Sequence, residues 1–327
     1  MTNENRHYSI HFSQMPTHTT GSSLGWKWRG LELFLQRTYN ITLHLEPSDH
    51  VLPETSVQNP SSDQMYLSKS DAECVTIAAQ IMRIRQLEEN ESTLLGFLNS
   101  NILPWPLVHR NTKLRRIQEK PIMQASTLEE PPINVNIQSS DERSLSWNLT
   151  PDTLFLYNPT SVLTLEDIEQ LNELGLSRDI IALNGEFKSA SGSALEARLK
   201  VVCAGVPILL QRIKIRKAAG GVDFSDLSHY CFSICAGDFE IWRLEHVNDK
   251  SHAWQESCGT LTPGDGVHKF INVWNCLIDY VVGPKQESLG ADIRQSAIIR
   301  ASVPTNSKAD KASERRNWRK RLRPRVR

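Results

Sequence analysis

Between residues 151 and 283 the sequence alternates between strand patterns and helix patterns, and this succession constrains the fold more than any other feature. An apolar run, TLFLY, follows Pro151-Asp152, and a second run, IIALNGEFKS, ends in polar residues. Each run predicts a buried strand. Segment 161–177 and the segment that begins at Ser193 predict amphipathic helices, because apolar residues recur there at three- and four-residue spacing. The succession predicts a mixed α/β (α+β) fold.

Breaker residues mark the boundaries of the remaining predicted elements. A helix with a regular apolar stripe is predicted over residues 71–98. Pro207 is expected to kink or end the helix that follows the second strand, since proline lacks the N–H that a helix needs. Gly237 predicts a tight hairpin between two runs of aromatic and β-branched residues. Gly283-Pro284 is expected to end a helix that follows this hairpin.

The tripeptide Glu186-Phe187-Lys188 closes the second predicted strand. Because successive side chains of a strand point to opposite faces, Glu186 and Lys188 project side by side while Phe187 turns into the core. Such a carboxylate can hold a hard cation, and such a lysine can orient an attacking water and stabilise phosphate charge. One Glu-x-Lys is about what chance supplies in a chain of this size. An exposed strand that carries an ion pair is therefore the alternative interpretation.

With Asp152 at the start of the preceding strand, the pattern over residues 70–283 resembles a PD-(D/E)XK nuclease-like domain. More narrowly, it resembles fungal nuclease-like domains of unassigned substrate. The resemblance implies a restriction-endonuclease-like mixed central sheet flanked by helices. It implies that Asp152, Glu186 and Lys188 are catalytic, and that Asp152, Glu186 and the Phe187 carbonyl bind Mg²⁺ or Mn²⁺. The implied activity is hydrolysis of phosphodiester bonds in DNA or RNA.

Two departures from the family pattern bear on activity. Many relatives carry a glutamine on the helix after the Glu-x-Lys strand, where this chain has Leu199 or Lys200. Of these two, Lys200 is a candidate phosphate contact. Many active members have another acid on the leading helix, and Glu88, Glu89 and Glu91 are available there. The departures keep an alternative open, in which a catalytically inactive nuclease-fold module acts as a nuclear binding protein.

Charge is unevenly distributed along the chain, although its formal net charge is zero. Ten of the 37 lysines and arginines, but only two of the 37 acidic residues, lie in residues 308–327. This predicts a disordered basic tail over residues 285–327. Arg319, Lys320 and Arg321 are candidate contacts for nucleic acid, and an import receptor is the other partner predicted for the tail. An import signal predicts a nuclear location, and a solubilising tail without a specific partner is the alternative interpretation.

The rest of the chain divides into two further regions. Residues 1–65 are predicted to be a partly disordered N-terminal region, and residues 66–284 the nuclease-like domain. Within that domain, residues 119–144 are rich in polar residues and proline, which predicts a flexible insertion. No apolar run approaches the roughly 20 residues of a membrane helix, and the first residues lack an apolar signal core. The sequence therefore predicts an intracellular protein without a membrane partner, and it leaves the oligomeric state open.

Overall fold

The structure is a computed structural model. It describes residues 8–11, 35–36, 41–44, 67–103, 114–118, 134–138, 144–148, 150–158, 164–174, 180–247 and 250–302. Its strands are β1 (Tyr8–His11), β2 (Ile41–His44), β3 (Leu114–Gln118), β4 (Asn134–Gln138), β5 (Ser144–Asn148), β6 (Thr153–Tyr157), β7 (Ile181–Lys188), β8 (Ser228–Cys235), β9 (Asp238–Val247) and β10 (Lys250–Thr260). Its helices are α1 (Asp71–Gln86), α2 (Glu91–Asn101), α3 (Leu165–Glu173), α4 (Ala194–Ala218), α5 (Gly264–Tyr280), a π-helical turn (Val281–Lys285) and α6 (Gln286–Ser302).

A mixed seven-stranded sheet forms the centre of the molecule, with strand order β2-β10-β9-β8-β7-β6-β3. The pairs β7–β8 and β10–β2 are parallel, whereas the other neighbouring strands are antiparallel. β1, β4 and β5 form a second, three-stranded sheet. The predicted α+β class, with a mixed central sheet flanked by helices, is confirmed. No described helix is both long and apolar enough to cross a membrane.

The central sheet buries a different apolar cluster on each face. Phe187 and Phe232 point to one face and pack with Trp274 of α5, in a cluster that α1, α2 and α6 extend. Trp242 and Leu244 point to the other face and pack beneath α4. Because β7 lies in the middle, residues two apart on it share a face and those between them enter the opposite core. The polar side of β7 therefore lies on the α4 face.

The predicted helix over residues 71–98 is wrong in its continuity, because the chain breaks between α1 and α2. Glu88 has a positive φ of 49°, which ends α1, and the Asn90 side chain accepts a hydrogen bond from Thr93 N at 2.9 Å to start α2. At the other end of α1, Ser70 and Glu73 form a reciprocal capping box. These local signals override the apolar periodicity that runs across the break.

Neither of two expected helix breaks ends its helix, and the kink that was the other expectation at Pro207 stays a prediction. α4 runs through Pro207 to Ala218, because the residues on both sides of the proline are buried against the sheet. Gly283-Pro284 does not end the helical segment either. Pro284, which has no N–H, lies within the five-residue π turn, where the hydrogen-bond pattern of the α-helix is interrupted. The helix α6 follows this turn directly.

The predicted tail over residues 285–327 needs a correction at its start. Residues 286–302 form α6, whose Leu289 and Ile293 are buried in the core beside α5. Residues 303–327, which include the basic cluster, lie outside the described residues. Strand β4 and the first residue of β5 likewise lie within the predicted insertion 119–144, and the remainder of that range is outside the described residues.

Candidate active site

Strand register brings Asp152 beside Glu186. β6 and β7 are antiparallel and pair Thr153 with Gly185. Asp152, just before Thr153, therefore lies opposite Glu186, just after Gly185. The Phe187 N–H donates to Asp152 Oδ2 at 2.6 Å, which fixes this carboxylate against the end of β7. The Phe187 side chain is fully buried on the opposite face. Two carboxylates thus lie together at one end of the central strands.

Lys188 completes the cluster, since its ammonium lies among the oxygens of the neighbouring residues. Lys188 Nζ is 3.1 Å from Glu186 Oε1 and 3.8 Å from Asp152 Oδ2. It also donates to the Phe187 carbonyl at 2.6 Å. The structure therefore brings together all of the residues that the resemblance implied for the catalytic and metal-binding roles. The ammonium marks a point on which these oxygens converge.

The structure selects one of the three candidate acids of the leading helix. Glu91, in the first turn of α2, accepts a hydrogen bond from Lys188 Nζ at 3.0 Å. It reaches the cluster because α2 starts afresh at the Asn90 cap and carries Glu91 toward the end of β7. The Asn90-x-x-Thr93 pattern was the available signal for this helix start, and the sequence reading passed over it.

Of the two residues near the expected glutamine position, Lys200 faces the site and Leu199 does not. Lys200 Nζ lies 3.6 Å from Glu186 Oε1 and 2.8 Å from Glu196 Oε1. Leu199 is buried in the core beneath α4. Asn184 Nδ2 donates to Val201 O at 2.9 Å, which ties α4 to β7 in the register that this contact needs.

A neighbouring ion pair on the same face was missed by sequence reasoning. Ser233 of β8 lies between Glu186 and Glu240 of β9 in the strand register. Arg198 of α4 donates to both Glu240 oxygens, at 3.0 and 2.5 Å, and its guanidinium lies over the Trp242 ring. This pair anchors the start of α4 to the sheet. No local pattern signals a contact between residues so far apart in sequence.

Burial shifts the pKa values of both acids upward, and repulsion by one neighbouring carboxylate adds to it in each case. Burial, followed by the neighbouring Asp152 charge, raises the pKa of Glu186 to about 7 despite Lys188 and Lys200. Burial is also the main cause that raises the pKa of Asp152. Burial acts to lower the pKa of Lys188. The negative charges of Glu186 and Asp152 together outweigh this effect of burial, so the pKa of Lys188 is raised. The site therefore favours additional positive charge, as expected for paired carboxylates without a cation.

The cluster has a closed floor and an open rim. The side chains of Glu186 and Lys188 are 4% and 9% exposed, whereas those of Lys200 and Glu91 are 31% and 40% exposed. Asp152 lies between these extremes at 18%. A solvent-borne group can therefore reach the cluster from the side that Glu91 and Lys200 border.

The donor set fits one kind of metal site and not another. Among the described residues, no group of three or more His, Cys, Asp and Glu side chains is placed to hold a metal ion. Asp152, Glu186 and the Phe187 carbonyl offer hard oxygen atoms only. Mg²⁺ is held in proteins through one or two carboxylates and keeps several waters. The residues present therefore fit a largely hydrated Mg²⁺ or Mn²⁺ ion rather than one enclosed by protein ligands.

Comparison with known proteins adds no relative to this picture. No protein-family model matches the sequence, and no similar sequence is found among curated proteins. Arg319, Lys320 and Arg321 lie outside the described residues, so their contacts with nucleic acid stay a prediction. The case for a function rests on the geometry of Asp152, Glu186 and their neighbours.

Proposed function

We propose that this chain is a Mg²⁺- or Mn²⁺-dependent nuclease of the PD-(D/E)XK type, which hydrolyses phosphodiester bonds of DNA or RNA. The observation that carries the proposal is the convergence of Asp152, Glu186 and the Phe187 carbonyl on the Lys188 ammonium. A nuclear location and an import receptor for the basic tail belong to the same proposal.

The protein's own groups have distinct tasks in this proposal. Asp152 and Glu186 hold the cation, and the backbone N–H of Phe187 fixes the Asp152 carboxylate that does so. The bound cation supplies polarisation of the phosphate and a more acidic water. Lys188 donates to the attacking water or to a phosphate oxygen, where it stabilises developing negative charge. Lys200, at the exposed rim, contacts the phosphate backbone.

Glu91 has a positioning task. Lys188 now satisfies the oxygens that a cation would take, so the cation and the ammonium compete for them. Glu91 lies outside that oxygen set and offers the ammonium an acceptor at 3.0 Å. It therefore keeps Lys188 next to the cation-binding residues when both positive charges are present.

The direct test is cleavage of plasmid DNA and of single-stranded RNA by the full chain with Mg²⁺ or Mn²⁺. Glu186→Gln keeps the shape of the side chain and removes its charge. We expect this change and Lys188→Met each to lower cleavage at least about 10³-fold, since both remove charge from the reacting centre. The exposed residues Glu166 and Lys214 provide the matched controls Glu166→Gln and Lys214→Met, which retain cleavage. Cleavage that persists in both site variants contradicts the proposal.

One observation favours a second function, a nuclease-fold module that binds partners without catalysis. Lys188 and Lys200 already neutralise charge at Glu186, so the cluster can persist as a structural ion-pair network. Binding of Mn²⁺ separates the two functions, because a nuclease takes up the ion at this site and an ion-pair network does not. Electron paramagnetic resonance of Mn²⁺ titrated with the chain measures this uptake, and the absence of bound Mn²⁺ favours the module.

A further inference from the structure

A cavity lies at the end of the central strands that is remote from Glu186. It has a volume of about 20 Å³ and is lined by the ends of three strands, by α4 and by the helical turns around the π segment. Its lining residues include Tyr157, Ile181, Arg212, His229 and Lys285. Ile181 and Glu186 are five residues apart on β7, so the two places are separated by about 17 Å. A cavity of this size accommodates about one water or one small ion.

Lys285 is one of the residues that line this cavity, and its amine has part of its hydrogen-bonding capacity unused. Lys285 Nζ donates to Ala182 O at 2.9 Å and lies 3.5 Å from His229 Nδ1. His229 must donate through Nε2 to Asn184 Oδ1, because the Asn184 amide nitrogen is already a donor to α4. His229 Nδ1 therefore has a lone pair directed at the amine. Two of the three ammonium hydrogens have acceptors, and the third has none among the described residues.

Arg212, which also lines the cavity, has a second unsatisfied donor. Its Nη1 is buried and finds no hydrogen-bond acceptor among the described residues. Its Nη2 bonds to Asp292 Oδ2 at 2.5 Å and to Ser288 Oγ at 2.9 Å. A buried guanidinium N–H without an acceptor is costly, more so than a neutral one. One acceptor in the cavity would serve both Arg212 and Lys285.

The charges around the cavity identify the sign of the missing group. Asp292 is shared between Arg212 and Arg216, which contacts the same oxygen at 2.7 Å. Arg216 also pairs with Asp226 at 2.9 Å, so two carboxylates face two arginines and the remaining positive charge is that of Lys285. No ion pair joins Lys285 to a carboxylate within the described part of the chain. The other titratable groups that face Lys285, namely Tyr157, His229 and Cys231, carry no negative charge at neutral pH, because burial raises the pKa values of Tyr157 and Cys231 and lowers that of His229. The enclosure therefore has an excess of positive charge when Lys285 is protonated.

We propose that this cavity binds one small monovalent anion of the size of chloride, held between the Lys285 ammonium and the Arg212 guanidinium. The anion accepts from the third Lys285 hydrogen and from the free Arg212 N–H. It also balances the unpaired positive charge, which a water molecule cannot do. Lys285 closes a π-helical turn, a feature that is common at functional sites. The proposal is independent of the nuclease function, since it uses none of the residues at the other end of β7.

Anion binding is coupled to the protonation of Lys285. Burial, followed by the Arg212 charge, lowers the pKa of Lys285 to about 7. An anion interacts favourably only with the protonated amine, so it raises this pKa when it binds. Affinity is thus greatest below pH 7 and falls by about tenfold for each pH unit above it, until the raised pKa is passed.

The proposal is tested by thermal unfolding of the full chain in sodium chloride and in sodium gluconate of equal ionic strength. We expect chloride to raise Tm by about 2 to 4 °C over gluconate at pH 6, with a smaller shift at pH 8.5. Lys285→Met should lose the shift, and the control Lys214→Met, at an exposed lysine on α4, should keep it. Equal Tm values in the two salts for the wild type, a shift retained in Lys285→Met, or a shift lost in Lys214→Met overturns the proposal.

Bromide provides a second readout that does not depend on whether the variant folds. In crystals of the wild-type chain soaked in sodium bromide, we expect an anomalous peak within hydrogen-bond distance of Lys285 Nζ and Arg212 Nη1. A cavity that contains only a water molecule under these conditions overturns the proposal.

Discussion

The two ends of β7 bury charge of opposite sign, and each is only partly compensated by its neighbours. At the Lys188 end, carboxylates outnumber the lysines that contact them, and the two buried acids have raised pKa values. At the Ile181 end, Arg212 and Arg216 share Asp292, Lys285 pairs with no carboxylate among the described residues, and the pKa of Lys285 is lowered. Each imbalance supports one proposal, a bound cation at one end and a bound anion at the other. The charge that remains after all protein contacts are counted therefore says more about which ion each end of β7 would bind than the contacts themselves do.

After the losses expected for Glu186→Gln and Lys188→Met, the largest expected effect on cleavage is that of Asp152→Asn. The new amide oxygen can still accept the Phe187 N–H, so the strand end keeps its geometry while the cation site loses a charge. We expect cleavage to fall at least about 100-fold with Mg²⁺. The chloride response at the other end of β7 should stay unchanged. Asp265→Asn, at an exposed carboxylate in the first turn of α5, is the matched control.

Asn184 lies between the two ends, and its removal tests whether they share a structural support. Asn184→Ala deletes the hydrogen bonds to Val201 O and His229 and leaves both partners buried without them. We expect the free energy of unfolding to fall by about 2 to 4 kcal/mol in urea denaturation. Asn101→Ala removes one local bond within α2 and should cost less than about 1 kcal/mol. Equal losses for the two variants would mean that Asn184 does not join β7 to α4.

Glu91→Gln tests the positioning of Lys188 without touching the cation-binding oxygens. The amide can still accept from the ammonium but no longer attracts it by charge. We expect about a tenfold loss of kcat, with substrate KM little changed. Glu89→Gln, at an adjacent helix boundary, is the control. A loss as large as that of Asp152→Asn would place Glu91 among the cation ligands instead.

The raised pKa of Glu186 predicts how Mg²⁺ stabilisation depends on pH. A carboxyl group whose pKa is about 7 when folded, above its unfolded value, favours folding while it is protonated, and this contribution is lost as pH rises from about 4.5 to 7. Above pH 7 the ionised group is available for a cation. Mg²⁺ should therefore raise Tm by a few degrees at pH 8 and by much less at pH 5, measured by calorimetry. The same shift at both pH values would show that Glu186 is not the group that binds the ion.

The smallest expected effect is that of Lys285→Met on cleavage. The cavity lies about 17 Å along β7 from Glu186 and shares no ion pair with it, so we expect cleavage to stay within about twofold of the wild type. A large loss of cleavage in a folded variant would join the two ends into one functional unit.

Sequence reasoning reached the candidate site because that site depends on local order along two strands. The alternation of β7 places Glu186 and Lys188 on one face, and the position of Asp152 just before β6 sets the register. Both features are visible as short patterns. The same reasoning missed β10, whose buried positions are small or polar, such as Ser251 and Ala253, and give no apolar alternation.

The helix α6 and the cavity could not be predicted from the sequence, for a different reason. Breaker residues at Gly283-Pro284 and the charge of the C-terminal tail masked α6, whose own apolar stripe is sparse. The cavity combines Arg212, His229 and Lys285, and each has an ordinary local context. Only packing of α4 and the π turn against the sheet brings these residues together. Tertiary contacts between distant segments leave no signal in a single sequence.

One diffraction experiment tests the comparison of the two ends most directly. Crystals of the wild-type chain soaked in manganese bromide would be measured at the absorption edges of both elements. We predict a manganese peak bound by Asp152, Glu186 and the Phe187 carbonyl, with Lys188 Nζ displaced toward Glu91, and a bromide peak between Lys285 and Arg212. Lys188 retained among those oxygens, with no manganese peak there, would contradict the account of this protein as a metal-dependent nuclease.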